Sequence, residues 1–156
     1  MSETGNLPRR GSPRKLYQIT RERLKGTNTD LASFSFNQGA NLYVFSYQKE
    51  GVRRHTFIDS GDSQYRNQIL AILAENDINP ANIERILITH RHPDHCGLAT
   101  LLAKESRAKI LVHPNFKSFV DGEMGEEEQR WLGKFDPSRF KEYDIEYLPQ
   151  SDGSAG

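Results

Sequence analysis

Apolar positions along this chain follow two periods. Short runs at about 16–24, 33–37, 41–48 and 55–59 alternate or cluster Val, Ile, Phe and Tyr in the manner of strands. Polar or glycine-bearing stretches such as Gln38-Gly39-Ala40 and Lys49-Glu50-Gly51 separate them, and the last two runs predict a hairpin. From Tyr65 to Glu75 the period lengthens. Tyr65, Ile69, Ile72 and Leu73 recur at helical spacing, with Asp62 or Ser63 available to cap the start. After Asn79-Pro80 a short turn or helix over Ala81–Arg85 is expected, then the apolar strand Ile86-Leu87-Ile88.

Beyond that strand, Leu98, Leu101 and Leu102 with Ala99 and Ala103 predict a helix from near Gly97, which would set Asp94 and His95 close to its N-terminus. A strand over 109–112, a short helix around 115–120 and a last strand at Ile145-Glu146-Tyr147-Leu148 complete the pattern. Residues 121–142 are highly charged and read as an exposed helix and loop. Their aromatics Trp131, Phe135 and Phe140 either form a lid over a cleft or pack the segment onto the domain, which is the simpler reading. Residues 1–14, rich in Gly, Pro, Ser and Arg, read as a disordered tail; 15–149 form one α/β domain, and 150–156 a terminal loop.

Composition narrows the function classes. Lys+Arg and Asp+Glu both number 21, so no net field draws in nucleic acid or an anionic membrane. A single cysteine excludes an internal disulfide and fits a reducing compartment, with cytoplasm as the default. No stretch reaches the length of a membrane span, and no apolar run follows the N-terminal charges as a secretory signal requires. The mean hydropathy of −0.73 is distinctly polar.

The chemistry concentrates at Thr89-His90-Arg91-His92-Pro93-Asp94-His95-Cys96-Gly97, directly after the strand. The chain has five histidines and three of them fall here. His90 and His92 are one residue apart, so an extended loop lets both rings face one ion, and Pro93 fixes the turn to Asp94 and His95. Imidazole nitrogens and a carboxylate oxygen suit zinc, iron or manganese. The arrangement suggests two half-sites, His90/His92 on one ion and Asp94/His95 on a second. Cys96 reads as a packing residue and Gly97 as a point of close backbone approach.

His90-x-His92-x-Asp94-His95 resembles the H-x-H-x-D-H signature of the metallo-β-lactamase-fold metallo-hydrolases. Phe57-Ile58-Asp59-Ser60-Gly61-Asp62 is similar to that family's strand ending in Asp-(Thr/Ser)-Gly, and Asn41-Leu42-Tyr43-Val44-Phe45 to its early strand. The resemblance implies an αββα sandwich, seen here as its first half: a mixed sheet with helices on one face. It implies His90, His92, Asp94 and His95 as metal ligands, Asp94 as a proton-handling catalytic group, and Asp59 as a residue that orients the ligands from behind. Zinc is the implied cofactor, one or two ions, with iron or manganese as alternatives. The family's third histidine, bridging aspartate and last histidine have no matching motif. After His95 only His113 remains, at a strand end where the family carries no ligand. His55 reads as structural or exposed. Asp121, Asp136, Asp144 and Asp152 are chemically able to bridge metals but sit in no motif.

Three functions follow from this reading. One is hydrolysis of an ester, thioester or related bond in a small molecule by metal-activated water. Another is iron-dependent oxygen or sulfur redox chemistry in the same fold. The third is a non-catalytic module with an incomplete site. A lone sheet of a sandwich leaves an apolar face, so dimerisation or a second polypeptide completing the domain is expected.

Overall fold

The computed structural model describes residues 17–36, 41–132 and 135–149, the Trp131 side chain excepted. The tail through residue 14, the Gln38-Gly39-Ala40 turn and the 150–156 loop lie outside the described residues.

Alternation of apolar and polar side chains sets the first four strands: β1 (Tyr17–Arg23), β2 (Asp30–Phe36), β3 (Leu42–Lys49) and β4 (Val52–Ile58), each antiparallel to the last. Leu42, Val44 and Ser46 of β3 are buried, while Tyr43, Phe45 and Tyr47 are half-buried on the other face. Between β3 and β4, Glu50 and Gly51 both have positive φ (54° and 80°) and Lys49 pairs with Val52. That is a two-residue turn of the type whose twist matches the strands it joins.

At β4 the sheet changes sense. β5 (Ile83–Leu87), β6 (Lys109–Val112) and β7 (Ile145–Tyr147) run parallel to β4 and to each other. Parallel neighbours need long crossovers. Helix α1 (Arg66–Glu75) joins β4 to β5, α2 (Pro93–Cys96) and α3 (Ala99–Ser106) join β5 to β6, and α4 (Phe116–Val120) and α5 (Glu126–Leu132) join β6 to β7. Among the described residues the sheet therefore has seven strands, in sequence order.

One face of this mixed sheet is covered by the helices. Phe34, Val44, Phe57, Ile86 and Ile110 of the strands form one buried cluster with Ile69 and Leu73 of α1, Leu102 of α3 and Phe119 of α4. Each such side chain contributes about 1.5–3 kcal/mol on leaving water. On the opposite face Tyr43, Ile58, Leu87 and Leu111 are successive ladder partners across four strands. All four are half-buried, and none belongs to that cluster. Among the described residues no helix is long and apolar enough to cross a membrane.

Two local expectations change, and a third is decided between its alternatives. The segment Ala81–Arg85 is not one short helix: a 3-10 turn at Pro80–Asn82, capped by Asn79, gives way to β5 at Ile83. Pairing with β4 accounts for this, since Ile83 faces His55 and Arg85 faces Thr56 across an irregular register. Near the histidine loop the helix starts earlier than expected, as the separate turn α2, so Asp94 and His95 lie inside a helix of their own. Phe140 is fully buried, its ring edge-on to Phe116 at 5.1 Å, and Phe135 stacks near Phe119 at 6.3 Å. Those two aromatics pack the charged segment onto the domain, as the simpler reading expects.

His55 is structural, being only 1% exposed. Its Nδ1 lies 2.7 Å from the buried Ser46 hydroxyl, its ladder partner. Burial, and secondarily the charge of Arg53, pushes its pKa down to about 4. Because the folded value lies below the unfolded one of about 6.5, this group's contribution is intact above about pH 6.5 and is lost as pH falls toward 4. Urea midpoints measured from pH 7 to pH 4 are expected to fall more steeply for the wild type than for His55→Gln. The excess slope should not exceed about 1.4 kcal/mol per pH unit.

Candidate metal centre

The parallel strands deliver their C-terminal ends to one edge of the sheet, the edge where open α/β sheets build their sites. β4 ends at Asp59, β5 runs into Thr89–His95 and β6 ends at His113.

Asp59 organises this edge. It has φ 68°, a left-handed conformation that aspartate tolerates better than most residues. Its backbone N–H donates to the Leu87 carbonyl at 2.7 Å. The carboxylate is 3% exposed. It accepts the Thr89 N–H at 2.8 Å, the Thr89 hydroxyl at 2.7 Å and the His95 Nδ1–H at 2.8 Å. A carboxylate facing Nδ1 fixes the proton there, which leaves the Nε2 lone pair of a neutral His95 for another partner.

The next residues fasten the loop from below. Ser60 N–H donates to the His95 carbonyl at 2.8 Å, and the Ser60 hydroxyl accepts the Leu98 N–H at 3.0 Å. Leu98 N–H also reaches the Gly61 carbonyl at 3.1 Å. Gly97 sits where no side chain fits: a Cβ there would stand 2.5 Å from the Pro93 carbonyl oxygen and 2.7 Å from the Ser63 nitrogen.

Above this floor the imidazoles gather. The His90 ring centre lies 3.6 Å from that of His95 and 4.7 Å from that of His92. His95 Nε2 and Asp94 Oδ1 are 3.8 Å apart. With zinc–nitrogen bonds of about 2.0–2.1 Å, two ligands of one ion lie no more than about 4 Å apart. The two expected half-sites therefore abut as one cluster, with His90 between its neighbours. Burial, then the adjacent His95 and His92, lowers the pKa of His90 and favours its neutral, ligating form. Among the described residues no group of three or more His, Cys, Asp or Glu side chains is arranged so that it could hold a metal ion as it stands. The donor set nonetheless suits a borderline cation: three imidazoles, one carboxylate, and a buried acceptor that holds a ring in its ligating tautomer.

Residues 43–152 match the Metallo-beta-lactamase superfamily. The chain belongs to that superfamily. Ribonuclease Z of Chlamydia abortus is 37% identical over 79 residues, 50% of this chain and 22% of that protein. Its Chlamydia pneumoniae counterpart is 35% identical over the same 50% and 22%. Among solved structures, the metallo-beta-lactamase SMB-1 superposes with a TM-score of 0.55 at 17% identity, over 80% of this chain and 45% of its own. A Cronobacter sakazakii metallo-beta-lactamase gives 0.53 at 19%, over 80% and 44%. The chain thus spans about a fifth of those curated relatives and under half of those two solved structures.

In this superfamily member the other chemistry-bearing residues lie apart from the cluster or serve packing. His113 is exposed at the end of β6, where its Nδ1 accepts the Asn115 N–H at 3.1 Å. Asp121 pairs with Lys117 and Lys141, and Asp136 caps a 3-10 turn at Ser138. Asp144 is exposed just before β7, and Asp152 lies outside the described residues. Cys96 is fully buried, burial drives its thiol pKa far up, and its Sγ donates to the Arg91 carbonyl at 3.4 Å. Thr89 and Ser60 escaped the sequence reading. Their position beside the Asp59 and histidine motifs was the available signal.

Asp59→Asn, which replaces one acceptor oxygen by a donor, should lower metal-free stability by about 1–3 kcal/mol in urea titration. It should also weaken zinc binding about ten- to a hundredfold in chelator competition. Gly97→Ala should cost about 1–3 kcal/mol in the same titration, since backbone atoms must move to admit the methyl.

Proposed function

We propose that this chain carries the metal-binding part of a metal-dependent hydrolase. The substrate class is a small-molecule ester, thioester or related bond. The observation that carries the reading is the Asp59 network, in which one buried carboxylate holds Thr89 and sets the tautomer of His95. Such a device has a purpose where Nε2 must be a ligand. The family match and the ribonuclease Z relatives support the same class of chemistry.

His90, His92, Asp94 and His95 would hold the cation, with zinc the first choice. When bound it supplies Lewis acidity, the means by which such sites draw a nucleophile from water near neutral pH. The lowered pKa of His90 favours the neutral form that a ligand must have. Asp94, 3.8 Å from His95 Nε2, would be the carboxylate that takes up a proton at the site. Asp59 and Thr89 keep the loop from relaxing while charge changes beside it.

A cavity of about 510 Å³ lies beside α2, lined by Pro93, Gly97, Phe135 and Arg139 among others and by none of the four candidate ligands. Balanced charge, 21 basic against 21 acidic residues, gives no net attraction for RNA, and on that ground the small-molecule class is put before the substrate that the relatives' name indicates.

Purified protein should bind zinc in elemental analysis and hydrolyse a chromogenic ester, thioester or phosphodiester. His92→Ala should lose the metal and lower turnover about a hundredfold or more. Iron in place of zinc would redirect the reading to redox chemistry. Absence of both metal and turnover would leave a non-catalytic module. Preferential cleavage of RNA would replace the small-molecule class.

A further inference from the structure

Asp59 anchors the histidine loop at its two ends, Thr89 and His95. Between them stands Arg91, the residue separating His90 from His92. Its guanidinium makes a two-pronged contact with Glu128 of α5: Nε to Oε2 at 2.8 Å and Nη2 to Oε1 at 3.2 Å. The same group lies 5.9 Å from the ring centre of Phe119, at the α4 end of the core. The Arg91 carbonyl is held as well, by the Cys96 thiol. Glu128 retains 19% of its side-chain exposure and Arg91 38%, so the pair is sheltered on one side by the charged segment. Fork-on-fork pairing of this kind restricts orientation in a way that a single lysine contact does not.

We propose that Arg91 and Glu128 are positioning residues: their ion pair makes α5 a strut for the histidine loop, setting how His90 and His92 are presented to a cation. The proposal rests on reading that loop as a metal site. An ion pair this exposed adds little to global stability. Its effect is local. With residues 89 and 95 pinned by Asp59, and the His92 carbonyl accepting the His95 and Cys96 N–H groups, the freedom left in the loop lies at 90 and 91, and the contact at Arg91 restricts it. Arg91 is bonded directly to both His90 and His92, whose ring centres lie 4.7 Å apart, so its anchorage restricts how both imidazoles are presented.

The test compares wild type, Glu128→Gln, Arg91→Gln and the double variant. In the metal-free proteins, ¹⁵N relaxation should show backbone order parameters at Arg91 and His92 falling from about 0.85 toward 0.6 in each single variant, with melting temperatures nearly unchanged. Zinc affinity, read by competition with a chromophoric chelator, should weaken about tenfold in each. The double variant should be no worse than either single one, because the pair acts as a unit. Unchanged order parameters at Arg91 and His92 would overturn the strut, as would effects that multiply in the double variant. Wild-type protein that takes up no zinc would instead count against the metal site, and the order parameters would still decide the strut.

Discussion

The candidate site depends on a buried carboxylate that must be satisfied. Asp59 is almost wholly removed from water, and an unpaired charge there would be expensive. Thr89 and His95 meet that demand, so the bonds that make the turn tolerable are the same bonds that orient the histidine loop. The left-handed backbone at Asp59 has a conformational cost of order 1 kcal/mol or more. It is maintained because the Asp59 N–H and the Ser60 N–H both find carbonyl partners in the neighbouring segment. Strain, burial and polarity are concentrated at one residue, where the first parallel strand stops.

The change from antiparallel to parallel pairing at β4 explains why that residue matters. Four antiparallel strands form a stable platform, but their ends alternate between the two edges. From β4 onward every strand finishes at the same edge, so the segments after β4, β5 and β6 are brought together. Helices cover one face of this sheet, and a row of half-buried apolar side chains, from Tyr43 to Leu111, runs across the other just behind the loop edge. The histidine cluster therefore stands at the rim between a packed face and one with apolar surface to offer.

Much of this was legible in the chain. Period-two apolar runs located β1 to β4, the helical spacing of Ile69, Ile72 and Leu73 located α1, and the histidine spacing marked the loop. Harder to read were features set by tertiary pairing. Ile83 to Arg85 carry no strong local preference and become strand because β4 offers a free edge. Pro93 begins a separate turn because His92 supplies an extended cap and Gly97 lets the chain pass against Ser63. The bond from Thr89 to Asp59 spans thirty positions, and the pair of Arg91 with Glu128 spans 37. Such partnerships leave no short-range pattern.

Among the described residues the sheet is ordered as it is written: each strand lies beside its neighbours in the sequence. No described strand waits for a distant one to be inserted between its neighbours. Ribosomal synthesis can accordingly lay the sheet down edge to edge, every new strand docking on a surface already present. Asp59 and Ser60 would then precede the histidine loop, while Gly97 and Leu98, which complete its floor, arrive after it.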